Sequence, residues 1–194
     1  MTGTEVISRL ESILRSDDAT KLRILLVDDD PDIRRSYSKT IKRAGKELGV
    51  LIDVITAEDG QDGMNKYIAM LREGRPVSGV VTDLNMPKLS GIDVTREVKM
   101  LSPNTPVYVL TAFEDGPEYE RLSTQVNEVK PNKLITKPKE PYPVIRDEII
   151  KDIISLRDYL RRETPPTTEP LSGSTSAVET KPYSLRVFYG DLKG

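Results

Sequence analysis

The chain has 194 residues, enough for one domain of ordinary size with extensions, and its 29 Lys and Arg nearly balance 31 Asp and Glu. The net charge of −2 gives no basic excess for nucleic acid or an anionic membrane, so neither is expected as a partner. The absence of Cys excludes disulfides, thiolate metal sites and a thiol nucleophile, and the absence of His excludes imidazole as base, ligand or phosphoryl carrier.

Aromatic residues make up 5% of the chain and Trp is absent, so the core must be built from Leu, Ile and Val. No apolar run approaches the roughly 20 residues of a membrane span, and the first residues lack the apolar core of a signal peptide. These features predict a soluble protein of the reducing cytoplasm.

Residues 4–15 place Val6, Leu10, Ile13 and Leu14 at helical spacing, which predicts a short amphipathic helix, and residues 16–20 read as a linker. Residues 21–162 then alternate aliphatic runs with helical patterns, the signature of a parallel sheet flanked by helices. The run Ile24-Leu25-Leu26-Val27 is followed by a stripe of Ile33, Tyr37, Ile41 and Leu48, a strand over about 50–56, and a second stripe of Met64, Tyr67, Ile68 and Leu71. Val80-Val81-Thr82 leads to a third helix after Ser90-Gly91, with Val94, Val98 and Leu101 inward and Pro103 stopping it. Val107-Tyr108-Val109-Leu110 leads to a thin stripe of Tyr119, Leu122 and Val126 over about 117–129, and the last run is Leu134-Ile135-Thr136.

The closing helix is expected from near Pro143 to about Arg162, helped by Pro in its first turn. Ile149, Ile153, Leu156 and Leu160 repeat along it at 4-3-4, a spacing shared by a sheet-packing helix and a short coiled-coil seam. Its first half is read as packing on its own sheet. Its second half projects to where a homodimer could form. Residues 163–194 form a Pro-, Ser- and Thr-rich arm ending in Tyr183 to Tyr189, whose β-forming alternation suits docking on a sheet edge or in a groove. No second globular domain, helix-turn-helix or internal repeat is visible, so no DNA-binding output is expected. The whole predicts an α/β fold with a doubly wound, five-stranded parallel sheet and right-handed crossovers.

Four of the aliphatic runs end in polar landmarks: Asp28-Asp29, Asp83, Thr111 and Lys137. In a parallel sheet all four lie at the carboxyl edge, where open α/β sheets hold their ligands. Three carboxylates, a hydroxyl and an ammonium would meet there, a set suited to phosphoryl transfer, because a carboxylate oxygen can attack phosphorus in line and give an acyl phosphate. Taken singly each landmark has a bland reading. An Asp after a strand starts turns, an Asp before a helix caps it, a surface Lys is solvated, and a Thr satisfies a strand end. Asp30 and Asp32 fit the capping role, with Pro31 in the first turn.

Read together, Leu25 to Pro31, Asp83-Leu84-Asn85-Met86-Pro87-Lys88-Leu89-Ser90-Gly91, Leu110-Thr111-Ala112 and Thr136-Lys137-Pro138 resemble the receiver domain of two-component response regulators, over about residues 22–156. The resemblance implies strand order 2-1-3-4-5 and Asp83 as phosphoacceptor. It implies Mg²⁺, with Mn²⁺ as an alternative, held by Asp29 directly, Asp28 mainly through water, Asp83, and the backbone carbonyl of Asn85. Lys137 would pair with Asp83 and then with a phosphoryl oxygen, and Thr111, beside Ala112, would donate to the phosphoryl group and draw the following loop inward. A cis Lys137–Pro138 bond is also implied. The donor would be a separate histidine kinase or histidine phosphotransfer protein, and the target an unknown downstream protein. Catalysis would stop at self-phosphorylation and slow self-hydrolysis, so the chain is not expected to be an enzyme in the ordinary sense.

Several positions depart from the family. Leu134 stands where receivers usually carry Tyr or Phe, so the usual aromatic swing is not expected, and Lys139 follows Lys137-Pro138 where an apolar residue is common. Thr111 and Lys137 are 26 residues apart, a few more than usual. Phe113, two residues after Thr111, is expected to overhang the acyl phosphate and slow attack by water. Two other classes compete. Asp28-Asp29-Asp30 contains the Asp-x-Asp pattern of haloacid-dehalogenase phosphohydrolases, but no acidic metal site follows Lys137. A phosphate-independent scaffold is kept open by Leu134 and opposed by the complete set of Asp28, Asp29, Asp83, Thr111 and Lys137.

Overall fold

In the computed structural model, the described residues are 21–113 and 115–163. The helix and linker expected over 1–20 and the arm from 164 onward lie outside them.

Strand β1 (Leu22–Val27) leads to α1 (Pro31–Glu47), β2 (Ile52–Ala57), α2 (Gly60–Arg72) and β3 (Gly79–Asp83). Helix α3 (Gly91–Leu101), β4 (Val107–Thr111), α4 (Gly116–Glu128) and β5 (Lys133–Thr136) follow. Then α5 (Pro141–Val144) runs on through a π-helical stretch (Ile145–Ile150) into α6 (Lys151–Glu163). All strand pairs are parallel and the order is β2-β1-β3-β4-β5, as the resemblance implied.

The two faces of the sheet are both covered, which is why the strands read as unbroken aliphatic runs rather than as alternations. Leu22, Ile24 and Leu26 of β1 join Tyr37, Ile41 and Ala44 of α1 and Ile145, Ile149, Ile150 and Ile153 of the last helix in one buried cluster. Leu25 and Val27 face the other way, into a cluster with Met64, Tyr67, Met70, Val94, Val98, Leu122 and Val126. Each fully buried aliphatic side chain of this kind contributes about 1.5–3 kcal/mol relative to exposure.

The helix boundaries follow local chemistry. Asp30 caps α1, its carboxylate accepting from the amides of Asp32 at 2.7 Å and Ile33 at 3.3 Å, with Pro31 in the first turn. Ser90 and Asp93 form a reciprocal capping box on α3. The stripe on α2 is rotated from the expected one: Gly63 and Met70 are buried with Met64 and Tyr67, while Ile68 and Leu71 are half-exposed. The cause is Gly63, whose missing Cβ lets the helix backbone settle against Val27, 3.0 Å from where that Cβ would stand. The closing helix begins two residues earlier than expected, at Pro141, and its π-helical stretch was not foreseen. Its first half packs on the sheet as expected, and Tyr159 in the second half is exposed.

Candidate functional site

Strand register brings the four landmarks to one edge. Val27 pairs with Thr82, Asp83 with Leu110, and Thr111 with Thr136, so Asp28, Asp83, Thr111 and Lys137 stand at successive carboxyl ends of β1, β3, β4 and β5. The amide of Lys137 donates to the Thr111 carbonyl at 2.7 Å, which fixes β5 beside β4 up to the site.

The centre of the site is an ammonium held between two buried carboxylates. Lys137 Nζ lies 2.7 Å from Asp83 Oδ1 and 2.9 Å from Asp28 Oδ2. The remaining oxygens are also engaged: Asp83 Oδ2 accepts from the Asn85 amide at 3.0 Å, and Asp28 Oδ1 accepts from the Asp30 amide at 3.0 Å. Burial pushes the Asp83 carboxyl above its ordinary range and the Asp28 charge adds to this, while Lys137 works the other way. For Lys137 burial would lower the ammonium, but the bonds to Asp83 and Asp28 prevail and hold it above its usual value.

Neighbouring elements hold these groups in place. The guanidinium of Arg34, on α1, donates to the Asp28 carbonyl at 2.6 Å. The Thr82 hydroxyl donates to the Asp83 carbonyl at 3.0 Å. Gly91 is required at the start of α3, because a Cβ there would stand 2.2 Å from the Asp83 carbonyl oxygen. Tyr37, expected only as part of the α1 stripe, is buried close enough to feel the charges of Lys137, Asp28 and Asp83, and burial raises its phenol. Arg34 and Tyr37 were missed as site neighbours because hydrophobic spacing on a helix does not show where a polar tip reaches.

The other expected residues fall as follows. Thr111 is buried, and its hydroxyl oxygen accepts from the Phe113 amide at 3.1 Å, so it already grips the loop it was expected to draw. Ala112 is exposed beside it. Phe113 and Leu134 are half-buried against the cluster on the α2, α3 and α4 face. Asp29 is exposed at the mouth. Among the described residues no group of three His, Cys, Asp or Glu side chains is arranged to hold a metal ion. One correction concerns the Lys137–Pro138 bond, expected cis: no cis peptide occurs among the described residues, in keeping with the trans preference that X–Pro bonds retain.

Comparison with known proteins accords with this geometry. The family model for the response regulator receiver domain matches residues 24–145, and the chain belongs to that family. It is 34% identical to the transcriptional regulatory protein PrrA of Mycobacterium tuberculosis over 93 residues, 48% of this chain and 35% of the relative. It is 31% identical to the response regulator MprA of Mycolicibacterium vanbaalenii over 97 residues, 50% of this chain and 37% of the relative. The chain thus spans well under half the length of these curated relatives. Among solved structures it resembles the chemotaxis protein CheY4 of Vibrio cholerae, with TM-score 0.53 and 26% identity, over 69% of this chain and 98% of that one. It also resembles the response regulator TrrA of Thermotoga maritima in complex with Mg²⁺–BeF, with TM-score 0.51 and 25% identity, over 70% and 98% of the two chains. No described helix is long and apolar enough to cross a membrane.

Proposed function

We propose that the chain is a phosphorylation switch of the cytoplasm that accepts a phosphoryl group on Asp83 from a histidine kinase or histidine phosphotransfer protein and signals through protein contacts. The observation that carries this reading is the Lys137 ammonium 2.7 Å from Asp83 and 2.9 Å from Asp28 at a buried strand edge, with Thr111 next in register.

One Asp83 oxygen would form the new bond to phosphorus as the bond from phosphorus to the donor imidazole breaks, leaving an aspartyl phosphate and a neutral imidazole. Lys137 pairs with Asp83 before reaction, and its ammonium can move to a phosphoryl oxygen afterwards without leaving the site. The donor chemistry also fits a hard divalent cation such as Mg²⁺: Asp83 and Asp28 supply carboxylate oxygens, Asp29 stands exposed at the mouth, and Asn85 follows Asp83 by two residues. Asp29, Asp83 and the Asn85 carbonyl would hold it, with Asp28 acting through water, and when bound it offsets charge on the phosphoryl oxygens. Thr111 would then exchange its bond with the Phe113 amide for donation to the phosphoryl group, changing the loop after β4. Because Leu134 replaces the usual aromatic residue, we assign the readout to that loop rather than to a ring on β5. Self-phosphorylation and slow self-hydrolysis are its only chemistry in this reading.

The test is incubation with a small phosphodonor and Mg²⁺. Mass should rise by one phosphoryl group, and Asp83→Asn should abolish the rise. A chain that stays unlabelled under these conditions would support the scaffold reading. Hydrolysis of a general phosphatase substrate that needs Asp28 but survives loss of Asp83 would favour a phosphohydrolase.

A further inference from the structure

The loop between β3 and α3 carries Asn85 and must keep a defined shape if Asp83 is to be presented as described. Its ends are tied by backbone bonds, Leu84 amide to Leu110 carbonyl at 2.8 Å and Gly91 amide to Leu84 carbonyl at 3.0 Å. Among the described residues, the polar side-chain bonds of the stretch 85–89 are two: the Asn85 amide to Asp83 Oδ2 at 3.0 Å, and Lys88 Nζ to Asp59 Oδ2 at 2.6 Å.

The second of these joins two loops that are 29 residues apart in the chain. Asp59 has a side chain only 5% exposed, and its other oxygen caps α2 by accepting from the Asp62 amide at 2.8 Å. A carboxylate so buried needs a compensating cation, and Lys88 reaches it from a side chain 61% exposed. Lys88 does so from a left-handed backbone, φ +66°, which glycine would adopt more easily. The two loops also meet by backbone: a Cβ on Gly60 would stand 2.1 Å from the Leu89 carbonyl oxygen, so the first turn of α2 presses directly on the loop.

We infer that Lys88 is a positioning residue for the phosphoacceptor site: its bond to Asp59 holds the β3–α3 loop so that the Asn85 amide engages Asp83 and the Asn85 carbonyl is set for a cation. The inference rests on the function proposed above and adds a residue outside the set of Asp28, Asp29, Asp83, Thr111 and Lys137. A lysine in a strained backbone position, spent on a buried carboxylate of another loop, stabilises one loop shape at the expense of local ease. Its neighbour in space, Asp59, acts as the anchor because α2 fixes it.

The experiment compares Lys88→Met, Lys88→Gly, Lys88→Arg and Asp59→Asn with the wild-type chain. Replacing the largely exposed Lys88 leaves no cavity, and Asn at 59 still caps α2. Two readouts are taken: amide hydrogen exchange at Asn85 in metal-free protein, and Mg²⁺ affinity by calorimetry. Lys88→Met and Asp59→Asn should each speed exchange at Asn85 and weaken Mg²⁺ binding about tenfold, in the range seen when outer-shell partners are lost. Lys88→Gly should do the same although it relieves the backbone strain, and Lys88→Arg should restore near wild-type values. Wild-type exchange and wild-type Mg²⁺ affinity in Lys88→Met, with or without a fall in Tm, would overturn the inference alone. A wild-type chain that neither binds Mg²⁺ nor takes up a phosphoryl group would overturn it together with the proposed function.

Discussion

Replacing Lys137 by Met removes the cation from between two carboxylates that have nowhere to go. Their side chains are 1% exposed for Asp28 and 8% for Asp83, and each places an oxygen within 2.9 and 2.7 Å of the same nitrogen, so those oxygens are at most about 5.6 Å apart. At that separation and an effective dielectric of about 20, two unit charges repel by about 3 kcal/mol. Lys137→Met should therefore lose about 3 kcal/mol of folding stability at neutral pH, a large share of a domain's reserve. The loss should depend on pH with a definite sign. Asp83 is already raised by burial and by Asp28, and without Lys137 it rises further. A carboxyl whose folded pKa exceeds its unfolded value stabilises the fold below the unfolded value, and that contribution is lost as pH rises through the folded one. The deficit of the variant should thus be smallest in acid and grow toward neutral pH. Urea unfolding followed by circular dichroism, from mildly acidic to neutral pH, measures it. A difference between variant and wild type that stays flat with pH, or is absent at pH 7, would refute the bridged-carboxylate account.

Three other outcomes are expected. Gly91→Ala places a Cβ 2.2 Å from the Asp83 carbonyl oxygen, so the variant should lose about 1–3 kcal/mol by denaturant titration and take up phosphoryl more slowly. Phe113→Ala should shorten the lifetime of the phosphorylated form severalfold, since the half-buried ring follows Thr111 closely; decay of the mass-shifted species checks this. Tyr108→Phe removes a buried hydroxyl that donates to Asp152 Oδ2 at 2.6 Å and should cost about 1–3 kcal/mol. Burial, reinforced by Asp152, raises the Tyr108 phenol far above its ordinary value, so wild-type stability should fall as pH rises past the point where the unfolded phenol ionises. Tyr108→Phe should lose that part of the alkaline fall.

The site edge was legible in the sequence because strands buried on both faces leave uniform aliphatic runs, and a polar residue ending such a run marks the carboxyl edge. Asp28, Asp83, Thr111 and Lys137 were all found this way, and register places them there. The cap at Asp30 was legible for a similar reason, since it acts within three residues of itself. Contacts between residues far apart in the chain were not. Nothing local to Lys88 points to Asp59, 29 residues away. The pattern also could not show that the ammonium would sit close to two of the three acids, with Asp29 exposed beside them. The α2 stripe was misjudged because hydrophobic periodicity overlooks glycine, and Gly63 sets how near that helix lies to β1.

The wide turns of the closing helix over Ile145–Ile150 have a consequence for what lies beyond them. A π-helical stretch behaves as a residue inserted into an ordinary helix, so the side chains after it are offset by about 100° from where uninterrupted winding would aim them. Deleting one amino acid within 145–150 would let regular winding resume and swivel the segment Lys151–Glu163 about its own axis. Tyr159, now 57% exposed, would turn with it, but Ile153 would leave its buried cluster and Asp152 would leave the Tyr108 hydroxyl, so the variant should lose stability. The inserted residue thus sets at once which flank of this helix meets the sheet and which it offers outward.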